Sequence, residues 1–162
     1  VAALVATSDQ DAAAAGVTAR AELRAHQHHV VGRHRAPAAS PAPSVMACLK
    51  AGVVIAGGSD GVRDSWNPYG MGDMLERATL VGLRNNFRRD EEMELALDVC
   101  TYKGAEVMGI DNYGIAVGCT ADFVILPGET VCEAIVERPA DRTVVKRGKI
   151  VTRHGELTQP IA

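Results

Sequence analysis

The stretch that decides the fold is GVVIAGGSDGVRDSWNPYG, residues 52–70. Val53, Val54 and Ile55 form a continuous β-branched run between glycines, the pattern of a strand buried on both faces of a parallel sheet. The chain then leaves that run and at once presents Ser59, Asp60, Arg63, Asp64 and its only tryptophan, Trp66. In α/β folds the active site gathers at the carboxyl ends of parallel strands, where the loops converge. Asp60 stands two residues past Gly58, placed to bind a metal or take a proton from water. Gly57, Gly58 and Gly61 allow a tight backbone turn, and Trp66 offers a flat apolar wall for a ring. An ordinary turn, with Asp60 capping local amides and Trp66 filling an apolar gap, accounts for the same letters.

Outward from this loop the pattern stays α/β. SVMACLKAG before it reads as a short amphipathic helix stopped by glycine. GDMLERATLVGLRNN after it places apolar residues at 71, 74, 75, 78, 80, 81 and 83, the spacing of a helix opened by Gly72-Asp73. DEEMELALDVCTYKGAEVMG reads as one long helix with Asp90 as N-cap, acids in its first turn and Gly109 as its stop. From residue 111 the period changes. DFVILPG, TVVKRG and KIVTRHG are strand-like and separated by glycine turns, with TVCEAIVERP as a short helix between the first two.

With 162 residues, 47% hydrophobic composition and a net charge of −3, the chain falls among soluble globular domains. The absence of a basic excess argues against nucleic acid as a partner. No apolar run approaches the roughly 20 residues of a membrane helix, and the N-terminus has no signal-peptide pattern. Cys48, Cys100, Cys119 and Cys132 never form a CxxC pair and read as reduced, buried thiols of a cytoplasmic protein.

Several blocks in order carry a resemblance. GVVIAGGSDGVRDSWNPYG resembles the end of the eighth barrel strand in the cytosine deaminase-like branch of the amidohydrolase superfamily, which reads G-x-D-x-x-x-D-x-W-x-P-x-G after an apolar strand. MLERATLVGLRN is similar to that family's last barrel helix, ALDVCTYKGAEVMGI to the helix packed beneath it. NYGIAVGCTADFVILPG and VVKRGKIV are similar to its return into a small β-sandwich and the closing hairpin. The resemblance spans roughly residues 44 to 157.

It implies an α/β fold: the C-terminal fragment of a TIM-type (β/α)8 barrel, with its last strand and helices, plus part of a small β-sandwich. Residues 44–110 would be the end of the barrel and 111–162 the sandwich part. It implies that Asp60 is the catalytic aspartate and a metal ligand, that Trp66 lines the substrate pocket, and that Asp64 shapes the loop. The implied cofactor is a divalent metal, Zn or Fe, in the full-length parent and not retained by this chain. The implied partner is a small heterocyclic substrate, with homo-oligomerisation left open for the parent. The implied activity is deamination of cytosine or a related cyclic amidine by hydrolysis of a non-peptide C–N bond. Gly61 stands where the bacterial cytosine deaminase has a second acid, which keeps another heterocycle open, a triazine or a cyclic amide. A truncated chain without catalytic activity is the reading from a different class.

The expected barrel needs about 250 residues, with an HxH after its first strand, further histidines and a glutamate. His26-Gln27-His28 is literally HxH but follows ARAELRA rather than a strand, and lies only 32 residues before Asp60. It reads as a solvated His/Arg cluster, and His154 as a surface residue. Residues 1–43, rich in Ala, Arg, His and Pro, read as a poorly patterned segment, either disordered or the product of a shifted reading frame.

Overall fold

The computed structural model describes the backbone of residues 2–4 and residues 44–59, 61–65 and 68–158. Strand β1 (Ala2–Leu4) is followed by helix α1 (Val45–Lys50), then α2 (Met74–Asn85), α3 (Asp90–Cys100) and α4 (Tyr102–Met108). Strand β2 (Phe123–Leu126), helix α5 (Val131–Glu137) and strands β3 (Thr143–Lys146), β4 (Lys149–Arg153) and β5 (Glu156–Leu157) complete the described elements. The strands form one antiparallel sheet in the order β1-β2-β3-β4-β5.

Local chemistry explains most element ends. The Asp73 carboxylate accepts from Leu75 N (3.0 Å) and opens α2, as the Gly72-Asp73 signal predicts. Asn86 in the left-handed region (φ 56°) closes it. In α5 the Thr130 hydroxyl accepts from Glu133 N (3.1 Å), while the Glu133 carboxylate receives the backbone N–H of Glu129 and Thr130, a capping box. The β3–β4 and β4–β5 connections are two-residue turns, Arg147-Gly148 and His154-Gly155, with positive φ at all four positions. That is the type I′ geometry which matches the twist of an antiparallel pair.

The core lies between the helices and one face of β2. Leu75 and Ala78 of α2, Ala96, Leu97 and Cys100 of α3, and Ala134 and Ile135 of α5 pack against Val124 and Leu126. Alternation along β2 leaves Ile125 at the surface, so helices cover one face of the sheet. A second cluster of Val45, Ile55 and Val99 seats α1 and the 52–57 segment on α3. Asn85 joins these parts: its Oδ1 accepts from Val45 N (2.9 Å) and its Nδ2 donates to the Val81 carbonyl (2.9 Å).

Five sequence expectations need correction. Residues 53–57 do not form a strand: no neighbouring strand among the described residues supplies a ladder, and Val53 and Val54 are 52% and 40% exposed, with only Ile55 buried. The expected long helix is two. Thr101 (φ −128°, ψ −88°) breaks it, donating its hydroxyl to the Leu97 carbonyl (2.8 Å) in place of the continuing ladder. The N-cap of α3 is Arg89 rather than Asp90; Glu92 reaches back to accept from the Arg88 and Arg89 N–H groups (2.7 and 3.0 Å). Of the four thiols only Cys100 is fully buried. Within residues 1–43, positions 2–4 form a strand that their sequence pattern did not announce, pairing with β2 at the register Ala3↔Ile125. The rest of that segment, His26 and His28 included, lies outside the described residues.

Candidate functional site

The 53–59 segment is held in place from below. Ile55 is buried against Val45 and Val99, and Gly57 N donates to the Val99 carbonyl (2.9 Å). Gly57 is required there by space: a Cβ would stand 2.9 Å from Cys100 Sγ. Burial pushes the Cys100 thiol up to about 12, against the pull of the nearby Arg77 charge, so it is an inert packing group and no nucleophile.

Ser59 begins the polar part. Its hydroxyl donates to the Gly61 carbonyl (3.0 Å) and accepts from Arg77 Nη2 (3.2 Å). One side chain thereby bridges the residues on either side of position 60 and ties both to helix α2. Gly61 in turn makes room for the Asp64 carboxylate, whose Oδ2 would lie 1.9 Å from a Cβ at position 61. Arg63 N donates to the Gly70 carbonyl (2.8 Å), closing the far part of the loop, and Arg63 and Asp64 are exposed. Asp60 and Trp66, the two residues on which the functional expectation rests, lie outside the described residues.

Among the described residues no group of three or more His, Cys, Asp or Glu side chains is gathered closely enough to hold a metal ion. His154 sits in the β4–β5 turn, paired with Asp141 (2.9 Å) and 76% exposed, the surface position expected of it. The described residues therefore do not by themselves fit a divalent metal.

Two groups near the loop were not visible as site residues in sequence. Arg77 is 7% exposed, and its Nε has no hydrogen-bond partner among the described residues. A signal existed: Arg77 falls three residues after Met74 and four before Val81, on the apolar stripe of α2. The second is the Asp73–Arg142 pair, in which Arg142 Nη1 and Nη2 donate to Asp73 Oδ1 and Oδ2 (3.0 and 2.8 Å). Burial raises the Asp73 carboxyl, but the Arg142 and Leu75 hydrogen bonds and the Arg142 charge outweigh it and leave its pKa below the ordinary carboxylate value. This fork ties the start of α2, which follows the loop, to the strand side of the molecule.

Comparison with known proteins places this arrangement in a class. Residues 4–157 match the amidohydrolase family, and the chain belongs to that family. N-isopropylammelide isopropyl amidohydrolase of Pseudomonas sp. strain ADP is 35% identical over 114 residues, covering 70% of this chain and 28% of that protein. The crystal structure of N-isopropylammelide isopropylaminohydrolase from Burkholderia multivorans superposes with a TM-score of 0.71 at 53% identity, over 75% of this chain and 31% of that one. That of 5-methylcytosine deaminase from Klebsiella pneumoniae, liganded with phosphonocytosine, superposes with a TM-score of 0.60 at 24% identity, over 73% of this chain and 29% of that one, a likeness of fold. The chain thus spans less than a third of the length of these relatives.

No helix among the described residues is long and apolar enough to cross a membrane.

Proposed function

We propose that this chain is the C-terminal part of a TIM-barrel amidohydrolase that hydrolyses a non-peptide C–N bond on a small nitrogen heterocycle. Residues 44–110 are the end of the barrel and 111–162 part of the accompanying sandwich. The observation that carries the reading is the 53–57 segment. Its β-branched run is that of a strand buried in a parallel sheet, yet Val53 and Val54 stand 52% and 40% exposed with no strand beside them among the described residues. Neighbouring barrel strands would cover those side chains, and the polar loop would then open at the barrel mouth.

In that setting Asp60 is the proton acceptor for an attacking water and a ligand of a divalent metal, Zn or Fe. Trp66 is the wall against which the ring stacks. Water adds to the ring carbon, the C–N bond breaks, and the amine leaves with a proton. The chain spans less than a third of its relatives' length, so the chain alone is proposed to be inactive and to lack the metal. Deamination of cytosine or a related cyclic amidine is one substrate reading. Release of an alkylamine from an ammelide-type triazine is the other, and the 53% identity to the Burkholderia multivorans enzyme together with Gly61 favours it.

The test restores the polypeptide to barrel length from the DNA upstream of Val1 and loads it with Zn or Fe. Ammonia and alkylamine release are then followed with cytosine and with N-isopropylammelide. Asp60→Asn keeps the shape and removes the proton acceptor, a loss of about 10²–10⁴-fold in rate. Trp66→Ala raises KM more than it lowers kcat. Near-normal turnover in Asp60→Asn would reduce the loop to a turn and sink the proposal.

A further inference from the structure

We infer that Arg77 is a positioning residue: its buried guanidinium holds, through the Ser59 hydroxyl, the backbone on both sides of residue 60. This rests on the reading of Asp60 as the working carboxylate. The geometry that supports the clasp does not depend on that reading.

A guanidinium 7% exposed on the apolar stripe of a helix is expensive to keep there. Met or Leu at position 77 would fill the same stripe beside Met74 and Val81 at lower cost, so helix packing does not account for the charge. Among the described residues no carboxylate forms a salt bridge with Arg77, and its Nε has no partner. The one hydrogen bond described for it runs from Nη2 to Ser59 Oγ, and that oxygen passes the constraint on by donating to the Gly61 carbonyl. The three groups make a short relay, guanidinium to hydroxyl to carbonyl, that spans position 60. Beneath it Gly57 is pinned to α3 by its bond to the Val99 carbonyl, with no room for a side chain against Cys100 Sγ. The loop therefore enters position 60 from a fixed backbone and leaves it under the same side chain. A catalytic carboxylate loses effectiveness when displaced by even about 1 Å, which makes such a clasp worth the burial of a charge.

Trp66 is the only tryptophan of the chain and lies in the same sequence loop, so its fluorescence reports on the clasp without any turnover assay. The experiment compares Arg77→Met, Arg77→Lys, Ser59→Ala and the double variant Arg77→Met/Ser59→Ala in the 162-residue chain. Emission maximum and acrylamide quenching of Trp66 are recorded beside the urea midpoint. Arg77→Met and Ser59→Ala are expected to give the same change in Trp66 emission and quenching, and the double variant no further change, because both break one relay. Arg77→Lys is expected to restore part of the parental signal, since an ammonium can still donate to the Ser59 hydroxyl. Two outcomes overturn the inference: a double variant whose change equals the sum of the singles, or a fallen urea midpoint with a parental Trp66 spectrum. If Arg77→Met fails to fold, Ser59→Ala against Ser59→Ala/Arg77→Lys carries the same comparison. Failure of Asp60→Asn to lose activity in the restored enzyme would remove the functional proposal and leave the clasp standing. Either of the two overturning outcomes would do the reverse.

Discussion

Replacing Asp73 with alanine removes two things at once, each with an expected size. The first is the N-cap of α2, the bond from Leu75 N at 3.0 Å, worth about 1 kcal/mol. The second is the fork with Arg142, whose side chain is 23% exposed and whose guanidinium would keep, among the described residues, only the Pro139 carbonyl (2.6 Å). Hydrogen bonds to charged groups contribute about 1.5–3 kcal/mol each when well shielded. This pair is partly wet, and a value near 1–2 kcal/mol for the whole fork is the reasonable discount. The expected loss for Asp73→Ala is therefore about 2–3 kcal/mol, and for Asp73→Asn, which retains an acceptor for Leu75 N, about 1 kcal/mol. In urea this corresponds to midpoint shifts of about 1–2 M and about 0.5 M, taking an m value of roughly 1.5–2 kcal/mol/M. The pH dependence has a definite sign. The folded carboxyl titrates below its unfolded value of 3.8, so its contribution is present above that pH and is lost as pH falls through the folded pKa. Circular-dichroism urea melts of parent and Asp73→Asn at neutral pH and at successively lower pH make the check. A loss under about 0.5 kcal/mol in Asp73→Ala, or a gap between parent and Asp73→Asn that does not narrow on acidification, would refute the reasoning.

Gly57→Ala forces a methyl to within 2.9 Å of Cys100 Sγ and should cost about 1–3 kcal/mol in a urea melt; Gly57→Ala/Cys100→Ala should recover part of it over Cys100→Ala alone. His154→Asn places a residue better suited to φ 52° in the β4–β5 turn and should raise stability by about 0.5–1 kcal/mol, the lost contact to Asp141 being too exposed to matter. Under native conditions an aromatic disulfide reagent should modify Cys100 far more slowly than Cys48, Cys119 or Cys132, and at a comparable rate only after unfolding; early Cys100 reaction would contradict its burial.

The helices and the hairpin were readable because their signals are local. Asp73 as a cap, Thr130 with Glu133 as a capping box, and glycines after residues in the left-handed region are written within three or four residues of the feature they cause. What sequence could not show depends on partners distant in the chain. Val53-Val54-Ile55 has the right residues for a strand, but a strand exists only with a ladder, and none is present beside it among the described residues. Thr101 looked like one more helical residue because its competing bond to Leu97 is a choice between two similar backbone geometries. At the candidate site the polar run after Gly57 was legible as a sequence pattern, and the contact of Arg77 with Ser59 was not. An arginine in an amphipathic helix is normally taken for the solvent face, and only its register against Met74 and Val81 marks it as buried.

Strand β1 brings a different consequence. Its pairing of Ala2–Leu4 with β2 joins the beginning of the chain to a strand that starts at Phe123, whereas β3, β4 and β5 follow one another through two-residue turns. Contacts so far apart in sequence carry a large loop-closure entropy, while the hairpins carry almost none. The sheet should therefore assemble from its β3–β5 end, with β1 the last strand to dock. Until it docks, the backbone N–H and C=O groups on the outer side of β2 stay open. During that interval a strand from another molecule competes for the same edge.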